Sequence, residues 1–376
     1  MAREPIESVA AGTFGAPAAN AGGALDVIAI QQPDGTLRCT PWHVVFDSLS
    51  QPSPEQVSVG INGVSIDVQL HVSARFEPAV FAGAASGNKS TPPDSVLHQL
   101  SSSGVLREGC NELRYSLSSD HERCVRAFIY VWRSTSPIVV CDIDGTVTLN
   151  DLAGQAAMIV DGSPTHAGVC EMLCALQARG YAVMYLTSRP LLGHCGIERT
   201  RRFLFELAID APSGHRMPQT AVVTTTHVNV LGALGAELSG QSQSFKANAL
   251  KGVRDLFNVP LAQPTTGTAC ALIDAVLSPV RELAGAMSSR PAARGGLYAG
   301  FGNREKDALA YLAAGMPPER VFLIDPASRL TGRAAVVMPA AGGGPSALPT
   351  TRCWTSYTGM LESMDDVFPA QPSSGG

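Results

Sequence analysis

Residues 138–151 read IVVCDIDGTVTLND. An apolar run leads straight into Asp142, Asp144 and Thr146, each two apart, with Gly145 among them. A short, wholly apolar run is typical of a strand buried on both faces of a parallel sheet. In open α/β sheets ligands gather beyond the carboxyl ends of the strands, and Asp142 stands at such an end. Two carboxylates this close repel each other, and burial raises the cost. A divalent cation resolves the conflict. Mg²⁺ prefers hard oxygen ligands in octahedral geometry and completes its shell with water and substrate phosphate. One carboxylate is then able to act as a nucleophile while the other exchanges protons with the leaving group. Gly145 lets the chain turn sharply. A single Asp after a strand usually marks a turn; the pair after IVVC points to chemistry.

Working outward, the chain has 376 residues, which suits two domains more than one. Hydrophobic residues make up 45% and charged residues 16%, so the chain has apolar material for cores and is not a disordered one. A formal charge of −5 without a long basic block argues against nucleic acid as a partner. The only lysines are Lys89, Lys246, Lys251 and Lys306, so a catalytic lysine has few candidates. The nine cysteines are scattered, odd in number and form no CxxC pair. They read as small buried hydrophobes, Cys170 and Cys174 included, and fit a reducing compartment. No apolar run approaches the ~20 residues of a membrane span. Residues 1–24 lack the apolar centre of a secretory signal.

Residues 25–82 read as strands. LDVIAIQQPDGTLRCTPWHVVF is two apolar runs about Pro33-Asp34-Gly35, and QVSVGINGVSIDVQLHV is a hairpin about Asn62-Gly63, whose residues supply the positive φ of a tight turn. Residues 83–96 form a Gly/Ser/Pro linker. Strands resume in NELRYSLSS and CVRAFIYVWR, within 97–136. From 137 onward short apolar strands (PIVVC, YAVMYLTSR, LYAGFGN, RVFLID) alternate with helical patterns. The helices are expected in HAGVCEMLCALQARG, IERTRRFLFELAI, SFKANALKGVRDLF and EKDALAYLAAG. This alternation predicts an α/β parallel sheet over 137–345. An insertion at 260–296 interrupts it, and Leu272, Val276, Leu283 and Met287 read there as a core-facing helical stripe.

The acidic strand end resembles the haloacid dehalogenase superfamily, whose later motifs follow in order. Thr187 in YLTSR matches the second, Lys246 the third, and Asn303 with Asp307 in GFGNREKD the fourth. A closer resemblance covers most of the chain. DIDGTVTLNDLAGQ, THAGV, TSRPLLG, TRRFL, FKANALKGVRDLF, YAGFGNREKDALAYLAAGMPPERVF and SYTGMLESMDDVFP look like the carboxy-terminal domain of lipins. LDVIAIQQPDGTLRCTPWHVVF and INGVSIDVQL look like the lipin amino-terminal domain. The sequence resembles a compact lipin without the long central region.

That resemblance implies a Rossmann-like haloacid dehalogenase domain beside an immunoglobulin-like β-sandwich assembled from 25–82 and 97–136, with 346–376 as a carboxy-terminal lipin segment. It implies a Mg²⁺-dependent phosphatidate phosphatase. Asp142 would attack phosphorus and form an aspartyl-phosphate, and Asp144 would serve as acid and then base. Thr187 and Lys246 would hold phosphate oxygens, with Gly145, Thr146, Ser188 and Arg189 about the same group. The metal set would be Asp142, Asp144 (through its main-chain carbonyl), Asn303 and Asp307, the last orienting the metal shell or Lys246. For Arg189 a structural ion pair is an equal alternative. His166 is expected to cap a helix with Thr165. The partner implied is phosphatidic acid in membranes. The protein is expected in the cytoplasm, peripherally on the endoplasmic reticulum or other internal membranes, with no firm protein partner. Ile6, Val9 and Phe14 are the only large apolar residues of 1–24, so membrane contact there is expected to be weak. RTRR at 199–202 is the densest basic spot. A phosphatase for a soluble ester and a non-catalytic phosphatidate sensor are the rival readings.

Overall fold

The structure is a computed structural model that describes residues 21–49, 54–82, 89–149, 164–193, 196–210, 213–228, 241–257, 295–332 and 352–372. The expectations for residues 1–20, 83–88 and 260–294 lie outside them.

The amino-terminal half supplies nine strands: β1 (Gly22–Ala24), β2 (Val27–Gln31), β3 (Leu37–Cys39), β4 (Val44–Phe46), β5 (Glu55–Ile61), β6 (Val64–Val72), β7 (Val80–Phe81), β8 (Gly109–Leu117) and β9 (Asp120–Arg133). Seven of them pair in one sheet of order β3-β2-β9-β8-β5-β6-β7, while β1 and β4 form a two-stranded ribbon. The Asn62-Gly63 turn joins β5 to β6, with φ of 51° and 80°. The seven-stranded sheet and the ribbon contribute side chains to one continuous apolar core. Its centre is Trp42, whose ring meets Phe81 of β7 at 5.6 Å and Tyr115 of β8 at 6.3 Å. Residues 94–103, divided by expectation between linker and sandwich strands, form a helix, Asp94–Ser103. Its Val96 and Leu100, four apart, enter the same core.

The second half is built on β10 (Pro137–Asp142), β11 (Ala182–Leu186), β12 (Ala221–Val223), β13 (Gly296–Gly302), β14 (Val321–Ile324), β15 (Leu330–Gly332) and β16 (Cys353–Trp354). The order is β12-β11-β10-β13-β14-β15-β16, parallel up to β14 and antiparallel beyond it. This is a Rossmann-like mixed α/β arrangement with β10 at the centre. The apolar run of β10 serves two cores. Val139 and Cys141 face the helix Val169–Ala178 and the carboxy-terminal Tyr357, Met360, Met364 and Phe368. Ile138 and Val140 face the helices Gln241–Asp255 and Glu305–Ala313. The carboxy-terminal segment is therefore part of this layer: it adds the edge strand β16 and plugs one core with side chains at helical spacing.

The two halves share a core. Val27, Ala29, Ile129 and Val131 face the amino-terminal core, while the alternating Ile28, Ile30, Tyr130 and Trp132 join Val140, Leu186 and Ala221 of the parallel sheet. Strands buried on both faces lose their polar alternation, which is why VIAI and IYVW read as unbroken apolar runs.

Candidate active site

β11 and β13 flank β10 on opposite sides, so the chain order reverses there. Such a switch point opens a crevice beyond the strand ends. Asp142 closes β10 at that point, and Gly145, at φ 77°, turns the chain back. The loop folds onto one acceptor: the Ile143 carbonyl receives the amides of Thr146, Val147 and Thr148. The Gly145 amide donates to Thr148 Oγ1 at 3.0 Å.

Around this loop the side chains form two charge clusters. Lys246, on the helix Gln241–Asp255, donates from Nζ to Asp142 Oδ1 at 2.6 Å and to Asp307 Oδ1 at 2.7 Å. All three are buried. Asp307 Oδ2 accepts the amides of Asn303 at 3.3 Å and Arg304 at 3.1 Å, so this carboxylate ties the turn after β13 to the lysine. Thr146 Oγ1 lies 3.3 Å from Asp142 Oδ2. In the second cluster Arg189 grips Asp144 with Nη2 on Oδ1 at 2.7 Å and Nε on Oδ2 at 3.0 Å, and Thr187 Oγ1 donates to Oδ2 at 3.0 Å. Thr187 and Arg189 are set by the neighbouring strand: the Thr187 amide reaches the Val223 carbonyl, and the Arg189 carbonyl accepts from the Thr225 amide and hydroxyl.

The two carboxyls differ electrostatically. Burial pushes Asp142 up to about 7; Lys246 opposes the rise and the charges of Asp307 and Asp144 add to it. Burial also acts against the Asp144 charge, but Arg189 and Thr187 outweigh it and hold the carboxyl below the usual range. For Asp307 the charge and hydrogen bond of Lys246 prevail over burial in the same direction. Burial would discharge Lys246; its two carboxylate partners raise its pKa instead and keep it protonated.

The sequence-predicted residues Asp142, Asp144, Gly145, Thr146, Thr187, Arg189, Lys246 and Asp307 thus meet at one strand end. Ser188 sits half-buried between Thr187 and Arg189, and Asn303 begins the turn that Asp307 closes. Arg189 forms a buried ion pair with Asp144. His166 corrects an expectation. The helix begins after Gly168 with no side-chain cap, and the buried imidazole lies behind the loop, between Ser328 and the Gly145 carbonyl. RTRR is not an exposed basic patch: Arg201 is fully buried against Asp26. Sequence reading missed Tyr357, whose hydroxyl donates to the Thr146 carbonyl at 3.1 Å across 211 positions. The described cysteines are free thiols, and Cys170 and Cys174 contact main-chain carbonyls.

The donor set suits Mg²⁺. Three carboxylates (Asp142, Asp144, Asp307) face two cations (Lys246, Arg189), leaving one negative charge without a cationic partner, and this adds to the burial that raises Asp142. Among the described residues no three His, Cys, Asp or Glu side chains form a cage. Mg²⁺ is commonly held by one or two carboxylates with neutral oxygens and water.

A family model described as LNS2 (Lipin/Ned1/Smp2) matches residues 93–369, and one described as lipin, N-terminal conserved region, matches residues 6–97. Over 265 residues the chain is 28% identical to "Nuclear elongation and deformation protein 1" of Schizosaccharomyces pombe, covering 70% of this chain and 32% of that protein. It is 27% identical over 268 residues to "Phosphatidate phosphatase PAH1" of Arabidopsis thaliana, covering 70% and 24%. It is 28% identical over 221 residues to "Phosphatidic acid phosphohydrolase 1" of Saccharomyces cerevisiae, covering 58% and 22%. The matches thus span a third or less of those relatives' lengths. With its carboxy-terminal region and its amino-terminal block both matched, the chain belongs to the lipin family.

Proposed function

We propose that this chain is a Mg²⁺-dependent phosphatidate phosphatase of the haloacid dehalogenase type, releasing diacylglycerol and phosphate. The observation that carries the proposal is the pairing of Asp142 with Lys246 and of Asp144 with Arg189 and Thr187 at the end of one central strand. Relatives named as phosphatidate phosphatases supply the substrate class.

In this reading an Asp142 oxygen attacks phosphorus and the bond from phosphorus to the glycerol oxygen breaks. Asp144 gives its proton to the departing oxygen. Dianionic phosphate beside Asp144 raises its proton affinity against the pull of Arg189, which is what the acid role requires. Asp144, now a carboxylate, takes a proton from water. The water oxygen attacks phosphorus, the acyl-phosphate bond to Asp142 breaks, and phosphate leaves. Lys246 and Thr187 donate to phosphate oxygens as charge develops. Gly145, Thr146, Ser188 and Arg189 border the same space. Asp142, Asn303 and the Asp144 main-chain carbonyl would hold Mg²⁺, and Asp307 holds Lys246 in register. The metal, when bound, neutralises negative charge shared by Asp142 and the phosphate.

The substrate lies in a bilayer, so peripheral contact with internal membranes belongs to the reading. No helix among the described residues is long and apolar enough to cross a membrane.

Phosphate release from phosphatidate, in liposomes and in detergent micelles, tests the proposal. We expect Mg²⁺-dependent release that EDTA stops. Asp142→Asn and Asp144→Asn each should lower turnover by at least 10²–10⁴-fold, the range for loss of an acid–base group alone. Turnover on soluble phosphate esters alone would move the substrate class; silence on both would leave a phosphatidate-binding role.

A further inference from the structure

Two consecutive carbonyls of the catalytic loop are held from behind by buried rings. His166 Nε2 lies 3.4 Å from the Gly145 carbonyl oxygen, and the Tyr357 hydroxyl donates to the Thr146 carbonyl at 3.1 Å. The two rings meet edge to face at 6.4 Å. A carbonyl only accepts, so Nε2 carries the proton and Nδ1 is the acceptor for Ser328 Oγ at 2.8 Å. Ser328 belongs to the turn between β14 and β15 and holds φ 67°, which a non-glycine residue keeps only when its surroundings impose it. Its amide bonds the Asp325 carbonyl at 2.9 Å. The segment that carries His166 is itself fixed along the loop. The His166 amide donates to the Val147 carbonyl, the Leu149 amide donates to the Pro164 carbonyl, and Thr148 bridges Thr165.

The imidazole is fully buried, which favours its neutral form and hence this one tautomer. Nothing in the proposed chemistry uses it. The loop it touches is the one that spaces Asp142 from Asp144 and brings Thr146 to Asp142.

We propose that His166 is a positioning residue: bridging Ser328 to the Gly145 carbonyl, it fixes the peptide planes of the DGT turn and so the mutual placement of Asp142 and Asp144. Tyr357 does the same for the next carbonyl. As a contribution to turnover this rests on the phosphatase reading; as a constraint on the loop it does not.

The test compares full-length His166→Leu, His166→Gln and Ser328→Ala with the parent chain. Gln places an amide N–H at the same number of bonds from Cβ as Nε2, whereas Leu offers no donor. Two readouts are taken: kcat and KM on phosphatidate micelles, and hydrogen exchange of the amides of residues 143–148. Misplacement of reacting groups by ~1 Å costs about 10²-fold. His166→Leu is therefore expected to lower kcat about 10²-fold with KM within about twofold, and to speed loop exchange. His166→Gln should stay within roughly tenfold of the parent in kcat and leave loop exchange near the parent's. Ser328→Ala should shift both readouts in the Leu direction by less, and it decides the matter if the Leu variant does not fold. Loop exchange unchanged in the Leu and Ala variants overturns the proposal, as does a Gln variant that falls as far as Leu. If the parent chain itself releases no phosphate, the phosphatase reading fails while loop exchange still decides this one.

Discussion

At Asp142 the nearest cation is a lysine shared with a second carboxylate; at Asp144 it is an arginine that serves it bidentately. That difference contributes to the separation of the two carboxyls: Asp142 is raised, chiefly by burial, whereas Arg189 and Thr187 hold Asp144 below its usual range. It also has a consequence for stability. Asp142 is raised from 3.8 to about 7 in the folded protein. A carboxyl raised on folding contributes stability in full below its unfolded pKa and loses it as pH climbs through the folded value. Without metal, this contribution therefore fades between about pH 4 and pH 7. In the proposed reading, Mg²⁺ bound there would compensate the charge that has then formed. The melting temperature should accordingly rise more on adding Mg²⁺ at about pH 8 than at about pH 5.5. Asp142→Asn should erase the difference. Differential scanning fluorimetry at the two pH values checks this, and equal shifts in the parent chain would argue against Asp142 as the responsive group.

Apart from Lys246, which lies within the helix Gln241–Asp255, the site residues stand at or beside the ends of elements, and how well each was legible depended on that element. Strand ends were clear, because IVVC, YAVMYL and GLYAGFG are too apolar for anything but a doubly covered sheet. DxDGT stood out at such an end, whereas Thr187, Lys246 and the Asn303/Asp307 turn were ordered by their resemblance to the haloacid dehalogenase motifs. What escaped were contacts made across the chain by ordinary residues. Tyr357 and His166 carry no local pattern that announces a ring behind a loop, and the helix Asp94–Ser103 hides in a segment ending in three serines, which are neutral-to-poor helix formers. Close approach of elements is equally silent in sequence. A Cβ at Gly302, the last residue of β13, would lie 2.6 Å from the Asp307 Cβ. Gly302→Ala must push the start of the helix Glu305–Ala313 away and with it the carboxylate that holds Lys246. We expect a loss in kcat of at least about tenfold from a displacement well under 1 Å, with a cooperative melt retained. Steady-state kinetics beside a thermal scan check this; unchanged kcat would show that the turn yields elsewhere.

On the scale of the molecule, the amino-terminal block is wedged into the catalytic layer and is not a separate module. The Asp26 carboxylate, just before β2, accepts Arg201 Nη2 at 2.5 Å, the Phe128 amide of β9 at 2.9 Å and the Val222 amide of β12 at 2.9 Å. β12 is an edge strand, so Asp26 caps an outward N–H that the parallel sheet leaves without a partner. The same strand's Val223 carbonyl takes the Thr187 amide, which links the block to the active site by two bonded steps. Both Asp26 and Arg201 are fully buried as side chains. Breaking such a pair from one side strands a buried charge and costs about 3–5 kcal/mol, whereas replacing both partners by apolar groups is often neutral. Arg201→Met alone should therefore lower stability by about that amount. Asp26→Leu with Arg201→Met should recover part of it but not the Val222 cap. Denaturant melts of the two variants measure this. Deleting residues 1–96 goes further. It removes β2 from between β3 and β9, withdraws Ile28 and Ile30 from the shared core, and leaves only β8 and β9 of the seven-stranded sheet. A two-stranded hairpin is at best marginal in water, and here its inner face would also lose Trp42. Residues 97–376 expressed alone should aggregate or melt without a sharp transition. A soluble, cooperative and fully active fragment would show that the parallel sheet closes its own core, and that the wedge is an accessory to it.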